Sequence, residues 1–214
     1  MTVNLSKSPG MRRQPRQARS QERVNQILDV AEQMFIAEGY AATTTNAIAK
    51  GAKVSIGSLY QFFPDKTAIL HALTMRYVAL LRERFTEFHE AEALELSLSD
   101  YVDHVIDGID QFFTDYPGYH AIFMQVQGTM PEFIALDNAA DAQYIEAFAA
   151  FFAQTYPGLE VADYEAIAFV IVKAIGNLLW LSLSQTPNLR QRLVVETKRL
   201  MLSYLQSYLS EPLN

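Results

Sequence analysis

Apolar side chains recur at the spacing of an α-helix along most of the chain. The first such segment follows Ser20, a suitable N-cap, and ends at Gly39, a residue that readily adopts the left-handed conformation found just after helices. Its apolar positions lie one, three or four residues apart: Val24, Ile27, Leu28, Ala31, Met34 and Phe35. No segment longer than a few residues alternates as a strand would, so the pattern predicts an all-α fold.

Two short helices and a long one are predicted next. Thr43–Thr45 supplies caps for the second helix and Ser55 caps the third, which Pro64 ends before Asp65 caps the fourth. The inward positions of the two short helices are apolar: Ile48, Ala49, Leu59, Phe62 and Phe63. Because a tight turn joins these helices after a longer supporting helix, the segment is a candidate helix-turn-helix.

The third predicted helix suits the major groove of DNA, because it is narrow and largely polar on its outer face. Gly57 costs such a helix about 1 kcal/mol relative to Ala, which indicates a close approach by a partner. Two plainer interpretations remain open. Short glycine-bearing helices also occur as connectors, and Tyr60 would also suit a core position with its hydroxyl group bonded.

Helical patterning continues to the C-terminus, with breaks at Pro117–Gly118, Pro131 and Pro157–Gly158. The last three long helices are predicted at Phe133–Tyr156, Asp163–Gln185 and Leu189–Leu209. The most apolar stretch, Ala166–Leu183, is interrupted by Lys173 and Asn177. We therefore interpret it as a helix buried in the protein or in a dimer interface rather than as a membrane span.

Charged residues are distributed unevenly along the 214 residues, and this distribution bears on whether the candidate helix-turn-helix binds DNA. The net charge is −7, yet residues 1–70 carry nine Lys and Arg against five Asp and Glu. A basic head and an acidic body would orient the head toward DNA. Residues 1–18 are interpreted as a basic disordered arm, and its arginines from Arg12 to Arg19 either reach DNA or form a solvated tail. The absence of cysteine favours a reducing, cytoplasmic location.

An acidic row around His104 is the strongest candidate for other chemistry. Its members are Asp100, Asp103, Asp107 and Asp110. They fall opposite an apolar stripe, so we expect a solvated face, with a metal or cationic-ligand site as the alternative. A helical metal oxidase would need Glu-X-X-His pairs, which the sequence lacks. A helical adaptor that binds protein through its apolar C-terminal helices is the third hypothesis.

Residues 20–75 resemble the TetR/AcrR family of one-component repressors. The Leu-Tyr-X-X-Phe-X-X-Lys pattern from Leu59 to Lys66 is the most specific part. The matching positions are Gly39, Tyr40, Thr43, Thr44, Thr45, Ile48, Ala49, Ala52, Val54, Ser55, Gly57, Ser58, Leu59, Tyr60, Phe63, Pro64, Asp65, Lys66 and Leu70. The resemblance implies a helix-turn-helix DNA-binding domain at 19–66 and a helical ligand-binding and dimerisation domain at 67–214.

The resemblance also implies a set of DNA contacts. Thr44, Thr45 and Lys66 would bind phosphate, in keeping with the affinity of helix N-termini and lysine for phosphate. The groove-facing residues would be Ser55, Ile56, Gly57 and Ser58, with Tyr60 and Gln61 touching the backbone or base edges. Lys53 stands where glycine is usual, and either strains a left-handed position or adds a phosphate contact. Ile56 stands where a polar or basic residue is common, so a thymine methyl group is its expected partner.

The body is expected to dimerise and to bind a small molecule, as the resemblance implies. The homodimer would form through about 163–185 and 189–209 and bind a palindromic double-stranded DNA operator. An apolar or aromatic effector would release it, with no cofactor, metal, membrane association or enzymatic activity. The candidate pocket is an aromatic cluster with a few polar groups: Phe112, Phe113, Tyr116, Tyr119, Phe123, Met124, Gln127, Phe148, Asn177 and Trp180. An ordinary aromatic core is the alternative for the same residues.

Overall fold

The computed structural model of the chain describes residues 18–88, 95–126 and 131–209. Within these ranges the elements are all helices, which confirms the all-α fold class. In chain order they are α1 (Ala18–Glu38), α2 (Thr45–Gly51), α3 (Ile56–Phe62), α4 (Lys66–Glu87), α5 (Leu98–Asp115), α6 (Pro117–Val126), α7 (Pro131–Thr155), α8 (Val161–Ser182) and α9 (Pro187–Gln206). Residues 1–17 of the expected basic arm lie outside the described residues, and Ala18 already belongs to α1.

The predicted caps of the helix-turn-helix region are confirmed. Thr44, Ser55 and Asp65 each accept a hydrogen bond from the backbone N–H three residues further on, over 2.8–3.2 Å. Gly39 follows α1 with a φ of 87°, a conformation that a side chain would strain. The predicted Ser20 cap is wrong, because α1 begins two residues earlier.

The chain forms two compact units. The first contains the described parts of residues 1–80 and 116–134, and the second contains those of 81–115 and 135–214. Helix α4 contributes to both units and runs without a break across the boundary expected after residue 66. Helix α6 belongs to the same unit as the helix-turn-helix, which the sequence pattern did not indicate. The functional boundary at 66/67 therefore stays a prediction.

The core of the first unit consists of the inward faces of α1 to α4. The side chains predicted to face inward from the two short helices are buried, and α1 packs against both α2 and α6. Fully buried members of this core are Val24, Ile27, Leu28, Phe35, Ile48, Leu59, Phe63, Ile69, Leu70 and Leu73. Burial of this apolar surface fixes the orientation of helices that are too short to be stable alone.

A polar joint connects α1, α4 and α6 within the first unit. Arg76 of α4 forms ion pairs with Asp29, at 2.5 Å, and with Glu32 of α1. The hydroxyl of Tyr77 and the Glu32 carboxylate both lie against Gly118, at the start of α6. Burial, helped by the negative charge of Glu32, raises the pKa of Tyr77 well above its usual value, so its hydroxyl stays protonated.

The second unit is organised around α5, α8 and α9, which pack against one another. The acidic row of α5 contributes directly to this packing. Lys198 of α9 pairs with Asp103 at 3.2 Å and Asp107 at 2.8 Å, and Arg190 pairs with Asp110 at 2.7 Å. The row remains largely exposed to solvent, as expected for Asp100, Asp103 and Asp107. What the sequence did not indicate is that one lysine and one arginine of α9 pair with three of its four carboxylates.

Helix α8 is long and apolar enough to span a membrane by length and composition, with a mean hydropathy of 1.6 over its most apolar window. It is the one such helix among the described residues. Only a third of that window is buried, and its exposed apolar residues include Phe169 and Leu181, at 53% and 60% exposure. The helix thus has one face in the core of the unit and another that the described residues leave uncovered.

The joint at Gly118 leads to a stability prediction. A Cβ atom at this position would overlap both Tyr77 Oη and Glu32 Oε1, so Gly118→Ala should destabilise the protein by about 1–3 kcal/mol. Gly57→Ala is the matched control, because a Cβ there meets nothing within 4 Å. Chemical denaturation measures both variants. Equal stabilities for the two would show that α6 does not pack closely on this joint.

Candidate nucleic-acid interface

The turn between α2 and α3 is tight and held by backbone hydrogen bonds. The N–H of Ala52 donates to Ile48 O at 2.8 Å, and that of Val54 donates to Ala49 O at 3.0 Å. Lys53, between them, has a φ of 53°, the only positive φ of a non-glycine residue in the part of the chain that the structure describes. This confirms the predicted left-handed position, which costs lysine more than the usual glycine.

Helix α3 presents the outward surface that the sequence predicts. Leu59 and Phe62 are buried, whereas Ser55, Ile56, Gly57, Tyr60 and Gln61 are exposed and Ser58 is half-buried. Ile56 and Tyr60 are large hydrophobic side chains with exposures of 36% and 38%. The interpretation of Tyr60 as a core residue is therefore wrong. The surface matches a helix that contacts a partner along its N-terminal half.

Gly57 has no intramolecular reason to be glycine. Its φ is outside the left-handed region, and a Cβ atom built on it would meet nothing within 4 Å. Ala would favour the helix by about 1 kcal/mol, so contacts among the described residues do not explain the glycine. Close approach of a DNA backbone or groove wall to α3 would explain it.

Hydrogen bonds hold the outward surface in place. The hydroxyls of Tyr60 and Thr45 are 3.1 Å apart, which links α3 to the first residue of α2. Arg23 of α1 donates from Nη1 to Ser58 Oγ at 3.5 Å. Sequence reasoning missed Arg23, because it lies 35 residues before its partner and outside the helix-turn-helix. Its exposed positive charge adds to those of Lys50 and Lys53 in this unit.

Lys66 contacts the protein's own backbone. Its ammonium group donates to the carbonyl oxygens of Tyr40 at 2.5 Å, Ala41 at 3.2 Å and Thr43 at 2.8 Å. It also lies 4.4 Å from the centre of the Tyr40 ring, a cation–π contact. An ammonium group has three N–H donors, and these three carbonyls account for all of them. The phosphate contact implied by the resemblance would require it to exchange one of these partners.

The residues of the expected effector pocket fall into both compact units. Tyr116, Tyr119, Phe123 and Met124 belong to the first, where Tyr119 and Phe123 lie with ring centres 4.6 Å apart. Met124 is exposed, and Gln127 lies outside the described residues. These positions neither establish nor remove a pocket, so the site stays a prediction.

The other members belong to the second unit. Phe113 of α5 contacts Trp180 of α8 edge-on, at 6.1 Å between ring centres. Phe112 and Phe148 are buried, as an ordinary core would have them. Asn177 is exposed, and its amide donates to Lys173 O at 2.8 Å. Within this unit the structure therefore brings together Phe113 and Trp180 from among the expected pocket residues.

Comparison with known proteins gives two family matches. Residues 27–73 match the model described as bacterial regulatory proteins of the tetR family. Residues 97–205, just over half of the chain, match the tetracyclin repressor-like C-terminal domain. The fold and the helix-turn-helix surface define a DNA-binding transcriptional regulator. The chain belongs to the TetR family, whose members are repressors that bind operator DNA as dimers and respond to small-molecule ligands.

Individual relatives agree with this assignment. The transcriptional regulator HbdR of Aromatoleum sp. (strain CIB) is 47% identical over 58 residues, which is 27% of this chain and 25% of that protein. The transcriptional regulator QacR of Staphylococcus aureus (strain Mu50 / ATCC 700699) is 24% identical over 197 residues, 85% of this chain and 97% of the other. A TetR-family regulator from Streptomyces coelicolor superposes with a TM-score of 0.68 at 26% identity, covering 89% and 99% of the two chains.

The contacts of Lys66 generate a prediction that separates two roles. If its ammonium group mainly holds the loop after α1, Lys66→Ala should destabilise the protein by about 1–2 kcal/mol and leave the salt dependence of DNA binding unchanged. A phosphate contact predicts instead a salt slope that is flatter by about one unit. Thermal unfolding and DNA titrations at several salt concentrations measure the two effects. Unchanged stability together with a flatter slope would contradict the structural role.

Proposed function

We propose that the protein is a repressor that grips a palindromic operator through the outer face of α3 and is released by an apolar or aromatic effector. The observation that carries the proposal is Gly57, an exposed glycine inside a helix that neither packing nor backbone conformation requires. The proposed DNA contacts are Thr44, Thr45, Lys53, Ser55, Ile56, Gly57, Ser58, Tyr60 and Gln61, with Lys66 as a phosphate contact if it leaves its carbonyls. We add Arg23, which neighbours Ser58.

The geometry of these residues supports a division of roles. Tyr60 and Thr45 are joined through their hydroxyls, so phosphate binding by α2 and groove contact by α3 would be coupled. Ile56 offers a methyl-bearing surface and no hydrogen-bonding group, which suits the methyl group of thymine. The exposed lysines of the turn region, Lys50 and Lys53, supply charge for the phosphates on either side.

A homodimer through α8 and α9 would place two such heads on one operator. Exposed apolar side chains on these helices support this interface: Phe169, Val170, Leu181, Leu189, Val195 and Leu200. Gly176 lies within the exposed part of α8 and has nothing within 4 Å of its Cβ position, so a second helix has room to approach closely. Twofold symmetry then requires palindromic half-sites about 34 Å apart or at a multiple of that distance. A regulator of this kind acts on DNA in the bacterial cytoplasm.

The DNA proposal is tested by adding one methyl group. Gly57→Ala should weaken binding to a palindromic operator from its own gene neighbourhood by about tenfold, because overlap of a methyl group costs about 1–3 kcal/mol. The folded protein should be no less stable than the wild type, since the methyl group meets no other atom of the chain. Fluorescence anisotropy with operator and scrambled DNA measures both the affinity and the specificity. Unchanged operator affinity, or equal wild-type binding to both DNAs, would contradict the proposal.

The effector proposal has an internal reporter. Trp180 is the single tryptophan of the chain and lies against Phe113. An effector entering beside these rings should change the emission of Trp180 and weaken operator binding at the same concentrations, since ligand and DNA would favour different states. Decanoate and 2-naphthol are suitable probes, with Trp180→Phe as the control for the fluorescence signal. Emission changes without release of DNA would argue against this location for the effector.

A further inference from the structure

A groove of about 850 Å³ runs between α7 and α8, wholly within the second compact unit. We call it the α7–α8 groove. Small side chains on α7 create it, since Ala149, Ala150 and Ala153 leave a concave surface beside α8. One end is fixed by Tyr164, whose hydroxyl donates to Tyr156 O at 2.6 Å and accepts from the N–H of Leu159 at 3.1 Å. These bonds hold the loop between α7 and α8 at that end of the groove.

The groove is both apolar and acidic. Its lining is mainly aliphatic and aromatic, and its two charged members are the exposed carboxylates Glu146 and Glu165. Lys and Arg are absent from the lining. Lys173, two turns after Glu165 on α8, is already paired with Asp141 of α7. An occupant that combines apolar side chains with one positive charge would complement this surface.

The groove is continuous with the proposed dimer face. Phe169 lines the groove and is also one of the exposed apolar residues of α8, next to Val170. A partner that covers the exposed side of α8 would therefore reach the groove without a gap. The same partner would bury Val161, which lines the groove and is 73% exposed.

The symmetry of the proposed dimer indicates which helix of the partner would lie in the α7–α8 groove. Helices α8 and α9 pack side by side and are joined by only four residues, 183–186, so they run antiparallel. In the proposed dimer, a twofold axis perpendicular to this pair and near its middle would turn the partner's α9 end for end, so that it would run parallel to α8. The N-terminal half of the partner's α9 then lies beside the N-terminal half of α8, where the groove is.

The N-terminal half of α9 has the chemistry that the groove complements. Arg192 is exposed, and it lies two residues from Arg190, hence on the opposite side of the helix from the side that binds α5. Arg192 has no ion-pair partner within the described part of its own chain. Leu189 and Val195, each three residues from Arg192, are exposed apolar neighbours on the same face.

We infer that the α7–α8 groove receives the N-terminal half of α9 from a second copy of the chain, with the partner's Arg192 paired to Glu146 and Glu165. This rests on the proposed dimer and extends its interface from α8 and α9 onto α7. Each groove is filled reciprocally, because a twofold interface uses the same residues on both subunits. The pairing also fixes the register of the partner's α9 along α8.

The test is a charge-reversal cycle on the full-length protein, read as the dimer dissociation constant by analytical ultracentrifugation. Arg192→Glu alone, and Glu146→Arg with Glu165→Arg, should each weaken the dimer by about tenfold or more, because each places like charges together. The triple variant should return to within about threefold of the wild type, since opposite charges face each other again. Glu95→Arg, an exposed acid outside α7, α8 and α9, controls for net charge.

Two further measurements separate the possible failures. Leu181→Glu tests the α8–α9 dimer itself, so a loss of dimer there with no effect of the charge variants would overturn only the groove inference. The groove inference would also be overturned if the triple variant dimerised as weakly as the variants with only one side of the pair reversed. A third outcome is that the protein binds tetraphenylphosphonium, and that Glu146→Arg with Glu165→Arg abolishes this binding but leaves dimerisation unchanged. This result would assign the groove to a small cation instead. Circular dichroism of each variant excludes misfolding as the cause.

Discussion

The helix-turn-helix depends on the burial of a few apolar side chains from helices that cannot exist alone. Helices α2 and α3 have seven residues each, well below the length at which an isolated helix is stable in water. Ile48, Leu59 and Phe63 are fully buried in the core that α1 and α4 share. The direction in which the outer face of α3 points is thus a consequence of this core, and every proposed DNA contact depends on it.

Polar contacts fix the relative positions of the helices, which burial of the apolar core alone would leave free to slide. Lys66 ties the end of the α1–α2 loop to the start of α4 through three carbonyl groups, and Arg76 joins α4 to α1 through two carboxylates. In the second unit, Lys198 and Arg190 hold α9 against α5 in the same way. These contacts are directional, so they set the positions of helices that apolar packing would allow to slide.

Sequence patterns predicted the local structure of the DNA-binding region accurately. The caps at Thr44, Ser55 and Asp65, the left-handed Lys53 and the inward residues of α3 all follow from side-chain chemistry within a few residues of each position. The same patterns missed partners distant in sequence. They gave no sign of the carbonyl groups that bind Lys66, of the α9 residues that pair with the acids of α5, or of the grouping of α6 with the helix-turn-helix.

By itself, the sequence determined that this protein is helical, where its helix-turn-helix lies, and which family it belongs to, because those features are encoded by spacing and capping over short distances. Only the tertiary structure decided that a Cβ atom at Gly57 would meet nothing within 4 Å and that Lys66 is bound to carbonyls. It also brought small residues of α7 beside α8 to form a groove. Such features depend on which segments meet in space, and that is set by the packing of the whole unit rather than by the period of any one helix.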